Sequence, residues 1–211
     1  MNSLRTGSVE LDAVALRELN RQPVNQDMIS YVSSFAAMVF QCNPSSGTAP
    51  ESHPVNNVPL MPLEDFVVVL IRASKLRVIT LMGALLYLIR LKSKLRPGAK
   101  GGYTTNHRIF LASIILATKY LDDNALLNYH WAFICSTAAK GQSVSFSLGE
   151  INLMEMQLLD FLGWELCITP KDLYIVSEPF LAPIRVTIQK FQAWKVLGRS
   201  TYPCTPYSIQ R

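Results

Sequence analysis

Between Ile109 and Leu121 the chain reads IFLASIILATKYL, apolar on nearly every side if it is wound as a helix. Such a helix has no face to offer to water, so in a globular protein it must be buried all round. It is also too short for a bilayer crossing, which takes roughly 20 apolar residues. The helix, read as about Thr105 to Leu121, is therefore the centre of its domain, and other elements must be arranged around it.

Those other elements read as helices. Leu63 to about Ser74 forms one, with Glu64 and Asp65 in the first turn, where the helix dipole favours anions. Ile79 to Leu95 forms the next, with an apolar stripe of Leu81, Met82, Leu85, Leu86 and Ile89. PGAKGG then breaks the chain in a turn. A fourth helix near Leu126–Ala138 carries Trp131, read as core, and Phe133. Ser147 and Glu150 have the spacing of a capping box, which starts a fifth helix from Leu148 to about Leu162 before Gly163. At 100° per residue, Ile151, Met154, Leu158, Phe161 and Leu162 share its apolar side. Thr169 followed by Pro170 is a further helix start. A last helix over Ile184–Leu197 has Ile184, Ile188, Phe191 and Lys195 on one face. Ahead of these lie two short helical patterns, Val9–Leu19 and Met28–Phe40, and a Pro/Ser/Asn-rich linker, Asn43–Pro62. The expected organisation is an N-terminal extension and linker over 1–62, partly disordered, a helical domain over 63–177, and a C-terminal helix and tail over 178–211.

Several chemistries are disfavoured by what the residues are. The four cysteines (Cys42, Cys135, Cys167, Cys204) are widely spaced, without C-x-x-C or a nearby histidine pair, so free thiols in a reducing compartment are expected. Without an apolar h-region near Met1, the chain reads as intracellular, nuclear or cytoplasmic. Phe66–Ile89 is interrupted by Arg72, Lys75 and Arg77 and reads as two buried helices, not as a membrane span. The three histidines (His53, His107, His130) are scattered, and no phosphate loop, dinucleotide fingerprint or paired nucleophile and base is present. No cofactor, metal or catalytic residue is expected, and the chain does not read as an enzyme. The formal net charge is +5, and Phe66–Lys119 contains basic residues but no Asp or Glu. Such a stretch can attract nucleic acid or an acidic partner, or simply form solvated helix faces. Without interleaved aromatics, nucleic acid is the disfavoured partner.

Two charges stand out. Glu155 falls inside the apolar sector of the fifth helix, flanked by Ile151, Leu159 and Leu162. Lys119 is the one charge in the body of the all-apolar helix. A charge beside apolar surface is costly unless it is paired or delivered to a partner. Lys119 snorkelling from a helix end and Glu155 making a local bond is one account; a binding surface is the other.

HRIFLASIILATKYLDD (His107–Asp123), LNYHWA (Leu127–Ala132) and FSLGEINLMEMQLLDFLGWEL (Phe146–Leu166), in that order, resemble the cyclin box, most like the fungal phosphate-pathway (Pcl-type) cyclins. The resemblance covers roughly Leu63–Val176. It implies an all-α fold with a single cyclin box of five helices, the third central, plus the N-terminal extension and a short C-terminal helical tail. It further implies a regulatory subunit that forms a heterodimer with a cyclin-dependent protein kinase and activates it. Lys119 and Glu155 match the lysine and glutamate that bind the kinase in cyclins. The arginine motif of the cell-cycle cyclins has only a loose counterpart in Arg72, so a substrate-docking patch of that type is not implied. The alternatives are a cyclin-fold nucleic-acid-binding transcription factor and a scaffold that does not activate a kinase. Thr169-Pro170 and Thr205-Pro206 are minimal proline-directed phosphorylation sites, the first better explained as a helix cap.

Overall fold

Hydrophobic periodicity becomes a bundle of helices in the computed structural model, which describes residues 3–42, 60–138 and 144–199. In chain order the elements are α1 (Ser3–Arg21), α2 (Gln26–Ala37), β1 (Gln41–Cys42), α3 (Leu63–Ser74), α4 (Val78–Lys94), β2 (Lys100–Gly101), α5 (Thr105–Leu121), α6 (Asn128–Ala138), α7 (Leu148–Leu162), α8 (Pro170–Val176) and α9 (Glu178–Arg199). The fold is all-α apart from β1 and β2, which pair in parallel at Gln41–Lys100 and Cys42–Gly101. PGAKGG is thus a turn at Gly98 that continues into a two-residue strand. Asn43 to Val58 and Pro59 of the expected linker, together with His53, Cys204 and Thr205-Pro206, lie outside the described residues.

The all-apolar helix is central, as its composition demands. Every residue of α5 from Phe110 to Thr118 is buried, and the helix packs against α2, α3, α4 and α7. Its two buried hydroxyls, Ser113 and Thr118, donate to the carbonyls of Ile109 and Ile114 one turn back, each at 2.7 Å. No polar group therefore opposes burial along this stretch.

A one-sided stripe was expected for α4, yet Thr80 to Leu88 are all buried. Its outward face is covered by elements distant in sequence. Asn20 at the end of α1 accepts from the Ile79 N–H, and the Tyr87 hydroxyl donates to Leu166 O at 2.9 Å. Arg90 donates to the carbonyls of Glu165 (2.9 Å) and Cys167 (2.7 Å) and pairs with Asp172, holding the segment after α7 against α4. Where α4 crosses α5 the approach at Gly83 is close: a Cβ there would stand 2.9 Å from Leu121 Cδ1 and 3.4 Å from Ala117 Cβ, so the Leu121 side chain would have to shift.

The caps follow the sequence closely. Ser147 and Glu150 form the reciprocal box that begins α7. Thr169 and Asp172 form a second one around Pro170 at the start of α8. Gly163 closes α7 in the left-handed region at φ 65°. Residues 178–183, not anticipated as helical, extend the last helix backward through Pro183. Pro183, in the second turn, forfeits a backbone bond and crowds the carbonyl of Pro179 one turn back. Packing against α1 compensates: Arg185 pairs with Asp12 at 2.6 Å, and Ile184, Ile188 and Phe191 line a groove facing Val14 and Glu18. Phe161 departs from expectation: it is exposed, at the edge of a cavity of about 190 Å³ that it shares with Phe40, Ile109 and Leu158.

His107 is buried, with Nε2 2.9 Å from Met61 O and Nδ1 without a partner. Burial holds its pKa below the ordinary 6.5, and the bond to Met61 only partly opposes this. The folded state then binds fewer protons than the unfolded chain below about pH 6.5. Stability should be fully present above that pH and decline as pH falls through the lower, folded value. Urea midpoints between about pH 8 and pH 5 will show the loss, and His107→Gln, which cannot titrate, will lack that part of it.

Candidate functional site

Lys119 and Glu155 are brought to one place. Lys119 closes α5 as its last-turn cation, and Glu155 lies midway along α7, which packs beside α5. Lys119 Nζ is 2.6 Å from Glu155 Oε1, with side chains 36% and 14% exposed respectively. The second carboxylate oxygen is also engaged: Asn128 Nδ2 donates to Glu155 Oε2 at 2.7 Å and to Asn152 Oδ1 at 2.7 Å. Ile151, Leu159 and Leu162 beside Glu155 are buried, as its position in the apolar sector requires.

Asn128 was not singled out in the sequence, although it lies within LNYHWA. It is the first residue of α6, and only the packing of α6 on α7 carries it to Glu155. Its Oδ1 is buried without a partner. Exposed apolar side chains stand close to these residues in the chain, beside exposed polar ones such as Asn152 and Gln157. Tyr120, Leu127, Leu153 and Met156 are all exposed, each within two positions of Lys119, Asn128 or Glu155. Trp164, exposed just beyond α7, is held at φ 61°, an uncommon conformation for a bulky residue. A half-buried ion pair with exposed apolar side chains near it in the chain is compatible with a protein–protein interface.

The other polar groups have structural roles. Burial would raise the Glu150 carboxyl, but the Ser147 backbone N–H and the Arg108 guanidinium, at 2.7 Å, outweigh it and hold the pKa below the usual range. The Cys135 thiol is pushed up to about 12 by burial, which leaves it inert at neutral pH. Trp131 is fully buried core. Cys42, Cys135 and Cys167 are free thiols. Among the described residues there is no cluster of His, Cys, Asp and Glu that could hold a metal, and no helix long and apolar enough to cross a membrane.

The family described as "Cyclin, N-terminal domain" matches residues 41–167, a stretch that includes both members of the ion pair. The chain belongs to the cyclin family. Among curated relatives it is similar to three proteins of Saccharomyces cerevisiae. PHO85 cyclin-2 is 34% identical over 171 residues, 81% of this chain and 52% of the relative. PHO85 cyclin-1 is 37% identical over 174 residues, 81% of this chain and 59% of the relative. PHO85 cyclin-9 is 33% identical over 178 residues, 82% of this chain and 53% of the relative. The chain thus spans somewhat more than half the length of the curated relatives it matches. These matches are also longer than the segment Leu63–Val176, so likeness to the relatives extends beyond the five helices that carry the motifs in this cyclin.

Proposed function

We propose that this cyclin is the regulatory subunit of a cyclin-dependent protein kinase of the Pho85 type, which it binds as a heterodimer and activates, and that it is not itself an enzyme. The observation that carries the reading is the Lys119–Glu155 pair, joined by Asn128, with exposed apolar side chains at neighbouring positions in the chain. A kinase is active only when its strand lysine and the glutamate of its C-helix pair. A cyclin docked on that helix holds it inward and shifts the population toward the active arrangement.

In the unbound chain Glu155 and Lys119 neutralise each other, so the surface carries no unsatisfied charge while it waits for a partner. Lys119, about one-third exposed, retains N–H groups that can donate to carbonyls of the kinase. The carboxylate has lone pairs beyond the two already used and can accept from backbone N–H groups. A docked kinase would exclude water and strengthen both kinds of bond. The reading places the protein inside the cell, where such kinases act.

The test is a pull-down of the purified protein against a panel of cyclin-dependent kinases, followed by a phosphorylation assay with the kinase retained. The expected result is retention of a Pho85-type kinase and a rise in its activity on addition of the chain. Retention without activation would favour the scaffold reading, and binding of no kinase by a folded sample would overturn the assignment.

A further inference from the structure

We infer that the cleft between the end of α2 and the turn after α4 is a docking site for an acidic peptide segment of a partner protein. The acid-free stretch Phe66–Lys119 supplies the charge, and the fold decides which of its cations are already used. Arg77, Arg90, Lys94, Arg108 and Lys119 pair with Asp122, Asp172, Glu165, Glu150 and Glu155. Among the described residues Arg72, Lys75, Lys92, Arg96 and Lys100 form no ion pair.

Three of these five unused cations gather at one place. Lys92 and Arg96 line a cleft of about 370 Å³ together with Met38, Val39, Pro97 and Gly98. Lys100 stands beside it in β2, paired in register with Gln41, which also lines the cleft. Lys92, Arg96 and Lys100 are all exposed, and among the described residues no carboxylate lines the cleft. Lys92 Nζ lies 5.2 Å from the centroid of the Phe35 ring, which draws it toward the α2 side of the cleft. The dipole at the end of α4 explains a cation in the last turn, and Lys94 also serves that role. It does not account for Arg96 and Lys100 beyond the helix. Like charges gathered around a concavity favour an anionic occupant. The cleft has room for a few side chains and not for a folded domain, and exposed Met38 offers an apolar contact beside the cations. An extended peptide with carboxylates flanking an apolar residue fits both features.

The cleft is separate from the kinase surface. α4 runs antiparallel to α5, because Gly83 lies beside Ala117 and Leu121 while Leu91 lines a cavity with Thr105 and Arg108. The end of α4 is therefore near the start of α5, about 20 Å along that helix from Lys119. A peptide bound there would leave the Lys119–Glu155 surface free, and this inference does not depend on the kinase reading.

The experiment is fluorescence anisotropy of the full chain with a labelled peptide of glutamates flanking a leucine, at low and at raised salt. Binding is expected, falling with salt, and weakened by roughly fivefold or more in Lys92→Gln/Arg96→Gln. Arg72→Gln/Lys75→Gln removes the same charge from two other unpaired cations and should leave affinity within about twofold. Circular dichroism melts establish that both variants fold, and both should still bind the kinase as the parent does, which keeps this test distinct from that one. No peptide binding, equal loss in the two double variants, or tighter binding of a labelled single-stranded oligonucleotide than of the peptide would each overturn the proposal.

Discussion

Glu155→Ala is expected to weaken kinase binding by tenfold or considerably more while leaving the protein folded. Both carboxylate oxygens of Glu155 are engaged, one by Lys119 at 2.6 Å and the other by Asn128 at 2.7 Å. Truncation removes an acceptor from the proposed interface and leaves an ammonium and an amide without their partner. Loss of one member of a desolvated, hydrogen-bonded charge pair costs about 2–5 kcal/mol in binding. At about 1.4 kcal/mol for each factor of ten, that is a decrease of more than tenfold. In the isolated chain Lys119 reaches water, so the same change should cost folding only about 0–1 kcal/mol. Calorimetry with the purified kinase and a thermal melt of the free variant separate the two effects. Lys119→Ala should also weaken binding. Because the residues form one network with Asn128, the double variant should lose less than the sum of the single losses. Unchanged affinity in a folded Glu155→Ala protein would remove these residues from the interface.

The second large effect is on folding. Phe110→Ala should destabilise the chain by about 3–5 kcal/mol, because Phe110 is fully buried in the central helix and its loss leaves a cavity. For a chain of this size each kcal/mol moves Tm by roughly 2–4 °C, so the melt should fall by about 6–20 °C. Met156→Ala, on exposed surface, should stay within about 0.5 kcal/mol of the parent in stability. The kinase reading predicts that Met156→Ala nevertheless weakens binding, since Met156 is an exposed apolar residue next to Glu155 in α7. The two substitutions are thus expected to exchange effects: Phe110→Ala acts on whether the domain forms, and Met156→Ala on what its surface holds. Differential melting and the same calorimetry test both.

The helices most legible in the sequence were those whose instructions are local. Ser147 and Glu150 satisfy each other across a single turn, and Gly163 ends α7 by its own conformational freedom. IFLASIILATKYL requires a buried helix wherever it occurs, and α5 is that helix. The last helix was less legible. Pro183 marks a boundary in local terms, but contact with α1 through Arg185 and Asp12 extends the helix past it. The helical angle puts Phe161 with the apolar side, yet it lies at the edge of that sector, where neighbouring helices decide what is covered, and it is exposed.

The candidate site divides in the same way. Periodicity alone determined that Lys119 and Glu155 border apolar surfaces, because the helical angle of a side chain depends only on its position in the chain, and it left open whether water, a local bond or a partner satisfies them. That they answer each other across α5 and α7, that Asn128 takes the remaining carboxylate oxygen, and that α1 and the segment after α7 bury the outer face of α4 were decided only by the tertiary structure. Caps and amphipathic faces are set by bonds and angles within a few residues. Pairing and burial are set by which faces meet, and that depends on the packing of the whole chain.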